Sequence, residues 1–258
     1  MALGKCVLLG VSVLTLGLIL GSQCAARIDP KTIVGVWLLD EGEGDDASEN
    51  ERHGKLTGKP KVVEGKFGTA LDFSGEGDTV KIADLAEILP AKVVTITLWV
   101  KIGDHGKNPD VFSLNPGEPG RISVAIWDKQ IFWHFGVGGK WIVIRFIDEE
   151  WVGQWKHWTF INNAEDNFMA GYIDGEKATR IGGISGEYEQ RGGDFHIGGR
   201  PEASFSGAID DFGIFNTTLS EDDIKMIVDR GLERAALFQG VESAAKLATI
   251  WGGLKALQ

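Results

Sequence analysis

One ten-residue stretch, Val93–Ile102, restricts what this chain can fold into more than any other. Val94, Ile96, Leu98, Val100 and Ile102 alternate strictly with Thr95, Thr97, Trp99 and Lys101. A period of two collects the aliphatic set on one face of a pleated strand, whereas a helix would scatter it around its circumference. Such a strand needs neighbours for its hydrogen bonds and a second layer over its apolar face. Trp99 and both threonines fall on the opposite side.

The chain supplies the neighbours. Ile33–Leu39 reads as a half-buried opening strand that runs into an acidic, glycine-rich loop. Leu71–Phe73 and Thr79–Ile82 read as strands of one sheet, and Val111–Leu114 as a short strand. Arg121–Trp127, Gln130–Phe135 and Lys140–Phe146 follow in close succession, joined at Asp128-Lys129 and Gly136–Gly139. Glycine, at 36 of 258 residues, is about twice its usual ~7% share, which suits many tight turns. Nine tryptophans and thirteen phenylalanines are available for a wide core between two layers.

The amino terminus belongs to something else. Lys5 precedes a nearly all-apolar Val7–Leu20, and Cys24-Ala25-Ala26 offers small residues at a cleavage point. The apolar run is short of the ~20 residues that a transmembrane helix needs. The pattern predicts an export signal over residues 1–26 and a secreted or extracytoplasmic protein. The competing reading is a lipoprotein carried by Cys24, for which Gln23 is a poor neighbour. Cys6 and Cys24 are both in this segment, so the processed chain would hold no disulfide. Loss of Lys5 leaves 25 basic against 37 acidic residues, a net charge of −12. That balance argues against nucleic acid or an anionic membrane as partner, and it suits calcium.

Phe205–Ser220 closes the strand-rich region with Gly-Ala-Ile-Asp-Asp-Phe-Gly-Ile-Phe, and adjacent Asp210 and Asp211 interrupt its apolar run. Neighbours on a strand point oppositely, so one of the two acids is expected to face inward or toward a loop, where it needs donors or a metal. Ser220 and Asp223 form a capping-box pattern. After them Ile224, Ile227, Val228 and Leu232 fall at helical spacing within Ile224–Leu237.

This closing stretch, with Leu219-Ser-Glu-Asp-Asp-Ile224, resembles that of laminin-G-like domains in the concanavalin A-like lectin/glucanase superfamily, in their bacterial three-part variant. Three further blocks carry the resemblance. They are Trp37-Leu-Leu-Asp-Glu-Gly-Glu-Gly44 with Gly65-Lys-Phe-Gly-Thr-Ala-Leu-Asp-Phe73, then Thr95-Ile-Thr-Leu-Trp-Val-Lys101, then Trp155-Lys-His-Trp158 with Met169–Glu176. The resemblance implies an all-β fold: a two-sheet antiparallel jelly-roll sandwich over residues 33–230. Residues 27–32 would lead in, and a short C-terminal helix would be followed by an unassigned tail at 231–258. It also implies a central hairpin turning at Asp174-Gly175. Finally, it implies one structural calcium ion near the joined terminal strands, held by Asp210 with Asp40 as companion; a hydrogen-bonded carboxylate pinning two loops is the other reading.

Chemistry is harder to find. The superfamily's hydrolases carry Glu-x-Asp-x-x-Glu on a strand, and this chain has no such run; Glu76-Gly-Asp78 lacks the third acid, and Glu149-Glu150 are adjacent. There is no Gly-x-Ser-x-Gly, and the five histidines lack zinc-ligand spacing. Gly42-x-Gly44-x-x-Ala47 is flanked by acids that would repel a pyrophosphate. Sugars stack on aromatics while polar neighbours take their hydroxyls, and Trp127, Trp133, His134, Trp141, Arg145 and Trp151 are candidates for one such face. The expected role is non-catalytic binding of carbohydrate or another extracellular or cell-surface component. The alternatives are a protein-adhesion module without a sugar site, or a glycoside hydrolase or polysaccharide lyase-like enzyme.

Overall fold

A computed structural model describes residues 28–103, 109–114, 121–128, 130–137, 140–147, 152–189 and 192–237, with backbone only at 140, 141 and 147. The expected leader, the Glu149-Glu150 pair, Trp151 and the tail from 238 lie outside the described residues, as does the Trp141 side chain.

The first half contributes β1 (Ile33–Trp37), β2 (Lys55–Thr57), β3 (Lys61–Glu64), β4 (Thr69–Ser74), β5 (Thr79–Ile82), β6 (Val93–Ile102) and β7 (Asp110–Leu114). Then come β8 (Ile122–Trp127), β9 (Gln130–Val137), β10 (Lys140–Ile147), β11 (Trp155–Asn163) and β12 (Phe168–Ile173). The chain closes with β13 (Glu176–Gly182), β14 (Phe195–Ile197), β15 (Ser206–Phe215) and the helix α1 (Glu221–Arg230). All strand pairs named below are antiparallel. One sheet runs β13-β12-β11-β6-β15-β4-β3 with β1 joined to β15; the other runs β10-β9-β8-β7-β14-β5-β2. This is the two-layered sandwich that the alternation of β6 requires.

The core lies between the layers. Val94, Ile96, Leu98, Val100 and Ile102 of β6 face Val124, Trp133, Phe135 and Phe195 of the opposite sheet within one cluster. Phe112 lies at its centre, with its ring against Trp133, Phe160, Phe195 and Phe212. A second cluster covers the outer face of the eight-stranded sheet. There Val36, Ile161, Ala170, Tyr172 and Phe215 meet Ile224 and Ile227 of α1, with Leu232 and Ala236 beyond it and Ile28 from the amino-terminal side. The packed body therefore extends past residues 33–230 at both ends.

Three expectations change. Thr79–Ile82 joins the seven-stranded sheet through β14 and β2, whereas Leu71–Phe73 belongs to the other layer; the turn between them carries the chain across the sandwich. β1 is buried along its whole length, because its second face meets the C-terminal cluster. The third concerns Asp210 and Asp211. β15 exchanges one neighbour midway, pairing with β4 over Ser206–Ile209 and with β1 over Phe212–Phe215, while staying beside β6. A bulge absorbs the exchange between Asp210 and Gly213, with Asp211 at φ 52°. Simple alternation fails there, so Ile209 and Phe212 both enter the core and both acids, not one, are buried; Asp210 meets a neighbouring turn and its donors, as expected.

Local signals hold elsewhere. Ser220 and Asp223 form the reciprocal capping box at the start of α1. Asp174 and Gly175, at φ 51° and 82°, make the tight turn between β12 and β13. Gly231 at φ 79° ends the helix before Leu232, so the helical spacing through Leu237 is broken into α1 and a separate final turn.

Candidate functional site

Strands β8, β9 and β10 pair in register, and their alternation decides which side chains share a face. Ala125, Phe132 and Arg145 form one cross-strand row, and Ser123, His134 and Val143 the next. The rows between them, such as Val124, Trp133 and Ile144, point into the core. Trp133 is 0% exposed and so leaves the proposed sugar face; as a sequence neighbour of His134 it had to take the other side. Trp127, by contrast, is 58% exposed.

On the outer side the aromatic rings form a short ladder. Trp127 stacks on Phe132 at 5.9 Å and 29°, Phe132 stacks on His134 at 6.0 Å and 14°, and the Arg145 guanidinium lies 5.6 Å from the Phe132 centroid. Beside the ladder, Asp110 at the start of β7 is held by two cations. Its Oδ1 accepts from Arg121 Nη2 at 2.8 Å and its Oδ2 from Arg200 Nε at 3.2 Å. Arg121 also donates from Nε to Ser123 Oγ at 2.5 Å, and that hydroxyl lies 3.4 Å from His134 Nδ1.

Burial sets the electrostatics. It raises the Asp110 carboxyl above its usual range despite the opposing charges of Arg121 and Arg200. His134 is pushed down to about 4 by burial and by the Arg121 charge, so at neutral pH its imidazole is uncharged and offers a flat ring with one donor and one acceptor. These residues line an open groove of about 480 Å³. It adjoins a depression of about 440 Å³ at Trp127, Gln130 and Arg145, and another of about 420 Å³ reaching Ala178 and Thr179 of β13.

The structure thus gathers Trp127, His134 and Arg145 of the expected residues. It adds Phe132, Arg121, Asp110 and Arg200, which sequence reasoning missed. Phe132 had a signal, since it shares strand parity with His134. Arg200 had none, because it arrives from the loop after β14.

The second candidate lies at the bulge of β15. Asp210 Oδ2 accepts from the backbone N–H groups of Lys66 and Phe67 at 2.8 and 2.9 Å. Asp40 Oδ1 accepts from Thr69 N at 2.7 Å and Thr69 Oγ1 at 3.1 Å. Both carboxylates therefore grip the same turn, and a Cβ on Gly65 or Gly68 would intrude on Asp210 or Asp40 respectively. Asp211 Oδ2 accepts from Leu232 N at 2.6 Å. Asp210 is fully buried, and its Oδ1 has no hydrogen-bond partner among the described residues. Burial, with the Asp211 charge adding, pushes Asp210 up to about 8; burial, with Asp40 adding, pushes Asp211 to about 7. No three His, Cys, Asp or Glu side chains among the described residues converge as a metal cage, so a cation here would depend on backbone oxygens as well.

Domain 4 of the extracellular GH43 arabinanase of Geobacillus stearothermophilus, solved with arabinotriose, is similar with a TM-score of 0.65 at 19% identity, over 76% of this chain and 98% of that one. The binding domain of Paraclostridial Mosquitocidal Protein 1 is similar with a TM-score of 0.64 at 16% identity, over 77% of this chain. The receptor-binding domain of botulinum neurotoxin D gives 0.62 at 18% identity, over 78%. This chain spans 52% and 53% of those two toxin domains. At such identities the likeness is one of fold. No curated protein matches the chain. The family described as the concanavalin A-like lectin/glucanases superfamily, of laminin-G type, matches residues 74–225, and to that family the chain belongs.

Proposed function

We propose that the protein is an exported, non-catalytic module that binds carbohydrate in the groove over β8, β9 and β10. The observation that carries this is the aromatic ladder of Trp127, Phe132 and His134, flanked by Arg121, Arg145 and Arg200. Sugar rings lay their C–H faces on such a ladder, and guanidinium and imidazole groups take the hydroxyls. The arabinanase domain seen with arabinotriose lends support through its shared fold. Among the described groove residues the carboxylates are Asp110 and Asp128. Asp110 is committed to two arginines, which leaves no pair of opposed acids among the described groove residues for glycoside hydrolysis. Trp127 is exposed, so Trp127→Ala should keep the melting temperature while glycan-array binding falls about ten-fold or more, ~1.4 kcal/mol. Absence of any glycan ligand for the parent protein would favour the adhesion alternative.

Calcium is proposed as a structural ion at Asp210, with Asp40 as companion. The buried Oδ1 of Asp210 favours it, since a hard cation prefers such a carboxylate oxygen together with main-chain carbonyls. The ion would supply charge compensation where the opening loop meets the closing strand. Adding calcium to chelator-treated protein should raise the melting temperature, and Asp210→Asn should abolish that response. An unchanged midpoint in the parent would reduce Asp210 to a loop pin.

A further inference from the structure

Cationic groups gather in the groove of a protein whose net charge is −11. Arg121, Arg145 and Arg200 all line it. Arg121 and Arg200 share one carboxylate, each taking a different oxygen of Asp110, and Asp128 is the other acid among the described lining residues. Arg145 is exposed, lies over Phe132, and has no carboxylate within salt-bridge reach among the described residues.

Resting on the carbohydrate reading of this groove, we infer that its ligand is an anionic glycan, one whose sugars carry carboxylate or sulfate groups. A neutral sugar can use guanidinium N–H groups as donors to its hydroxyls, but it leaves their charge uncompensated. Such crowding is unfavourable in itself: burial lowers the Arg121 pKa, and the charge of Arg200 lowers it further while Asp110 opposes both. An incoming anion relieves that repulsion. Guanidinium forks match carboxylate and sulfate oxygens two at a time, and a groove with low-dielectric walls concentrates their field. Meanwhile the ladder receives the apolar face of the same sugar or of the next one. The adjoining depressions toward Ala178 and Thr179 share Arg145 and Gln130 with this region, which gives a chain of sugars a continuous track. An acidic peptide would satisfy the arginines yet leave the ladder without use.

The test is an array carrying neutral, uronate-bearing, sialylated and sulfated glycans together with a glutamate-rich peptide, probed with the full chain and with Arg145→Gln. Arg145 is exposed, so the substitution should leave the melting temperature unchanged. The expected hits are confined to carboxylated or sulfated glycans. Their affinity should fall about ten-fold with Arg145→Gln, ~1.4 kcal/mol; it should weaken as salt rises and disappear when the carboxylates are esterified. Hits confined to neutral glycans, or charged hits insensitive to salt and to Arg145→Gln, overturn the anionic class and leave the carbohydrate reading standing. Binding of the peptide in place of all glycans, or of nothing on the array, overturns both.

Discussion

His157 has no exposed surface, and burial pushes its imidazole down to about 3. Its Nε2 lies 2.7 Å from Thr97 Oγ1, and its ring meets Trp99 edge-on at 5.2 Å. The folded protein therefore keeps it neutral, whereas the unfolded chain protonates it near 6.5. Below that pH the unfolded state binds the extra proton. Stability from this neutral residue is complete above pH 6.5 and drains as pH falls toward 3, by up to ~1.4 kcal/mol per pH unit. The raised carboxyls of Asp210 and Asp211 act with the opposite sign, losing stability as pH rises through about 7 to 8, so the net curve mixes both. A difference between two proteins isolates the histidine. Relative to the parent, His157→Gln should gain about 2 kcal/mol between pH 6.5 and 5 in urea titrations; parallel curves would refute it. Residue-scale legibility was uneven in the same way. Trp99 and His157 stand on the side that β6 alternation assigns to Trp99, but nothing local says that this side is also buried.

Among the elements, β15 carries the most structural consequence. Each half has a different neighbour, and the bulge between them lets the opening strand β1 and the inner strand β4 share one partner. Gly207, at φ 136°, lies where β15 runs against the end of β6, and a Cβ there would collide with the Lys101 carbonyl oxygen. Gly207→Ala should accordingly cost about 2–3 kcal/mol, read as a lower urea midpoint with the same slope. A cost under about 0.5 kcal/mol would show that the strand relaxes there without difficulty. Elements whose rules are local were legible: the alternation of β6, the capping box of α1 and the turn at Asp174-Gly175. The bulge at Asp210 and Asp211 was not, because it is fixed by which strands lie alongside, and those come from residues 33–37 and 71–74. The placement of β5 failed for the same reason. A short apolar run records that it belongs to a sheet, not to which one.

The whole molecule presents its two sheets differently. On the outer side of the eight-stranded layer, Val36, Ile161, Ala170, Tyr172 and Phe215 are covered by α1, Leu232 and Ala236, whereas the seven-stranded layer exposes Trp127 and Arg145. The aromatic half of the groove could be read from two adjacent strands, but its charged half was hidden, because Asp110, Arg121 and Arg200 meet only after β7, β8 and the loop behind β14 are assembled. Ile28 and the segment ending at Leu237 both rest on the covered layer. A bead or a fusion partner joined directly at Ile28 or at Leu237 would thus sit behind the domain. The ladder would look outward from that support, like a hand held out palm forward.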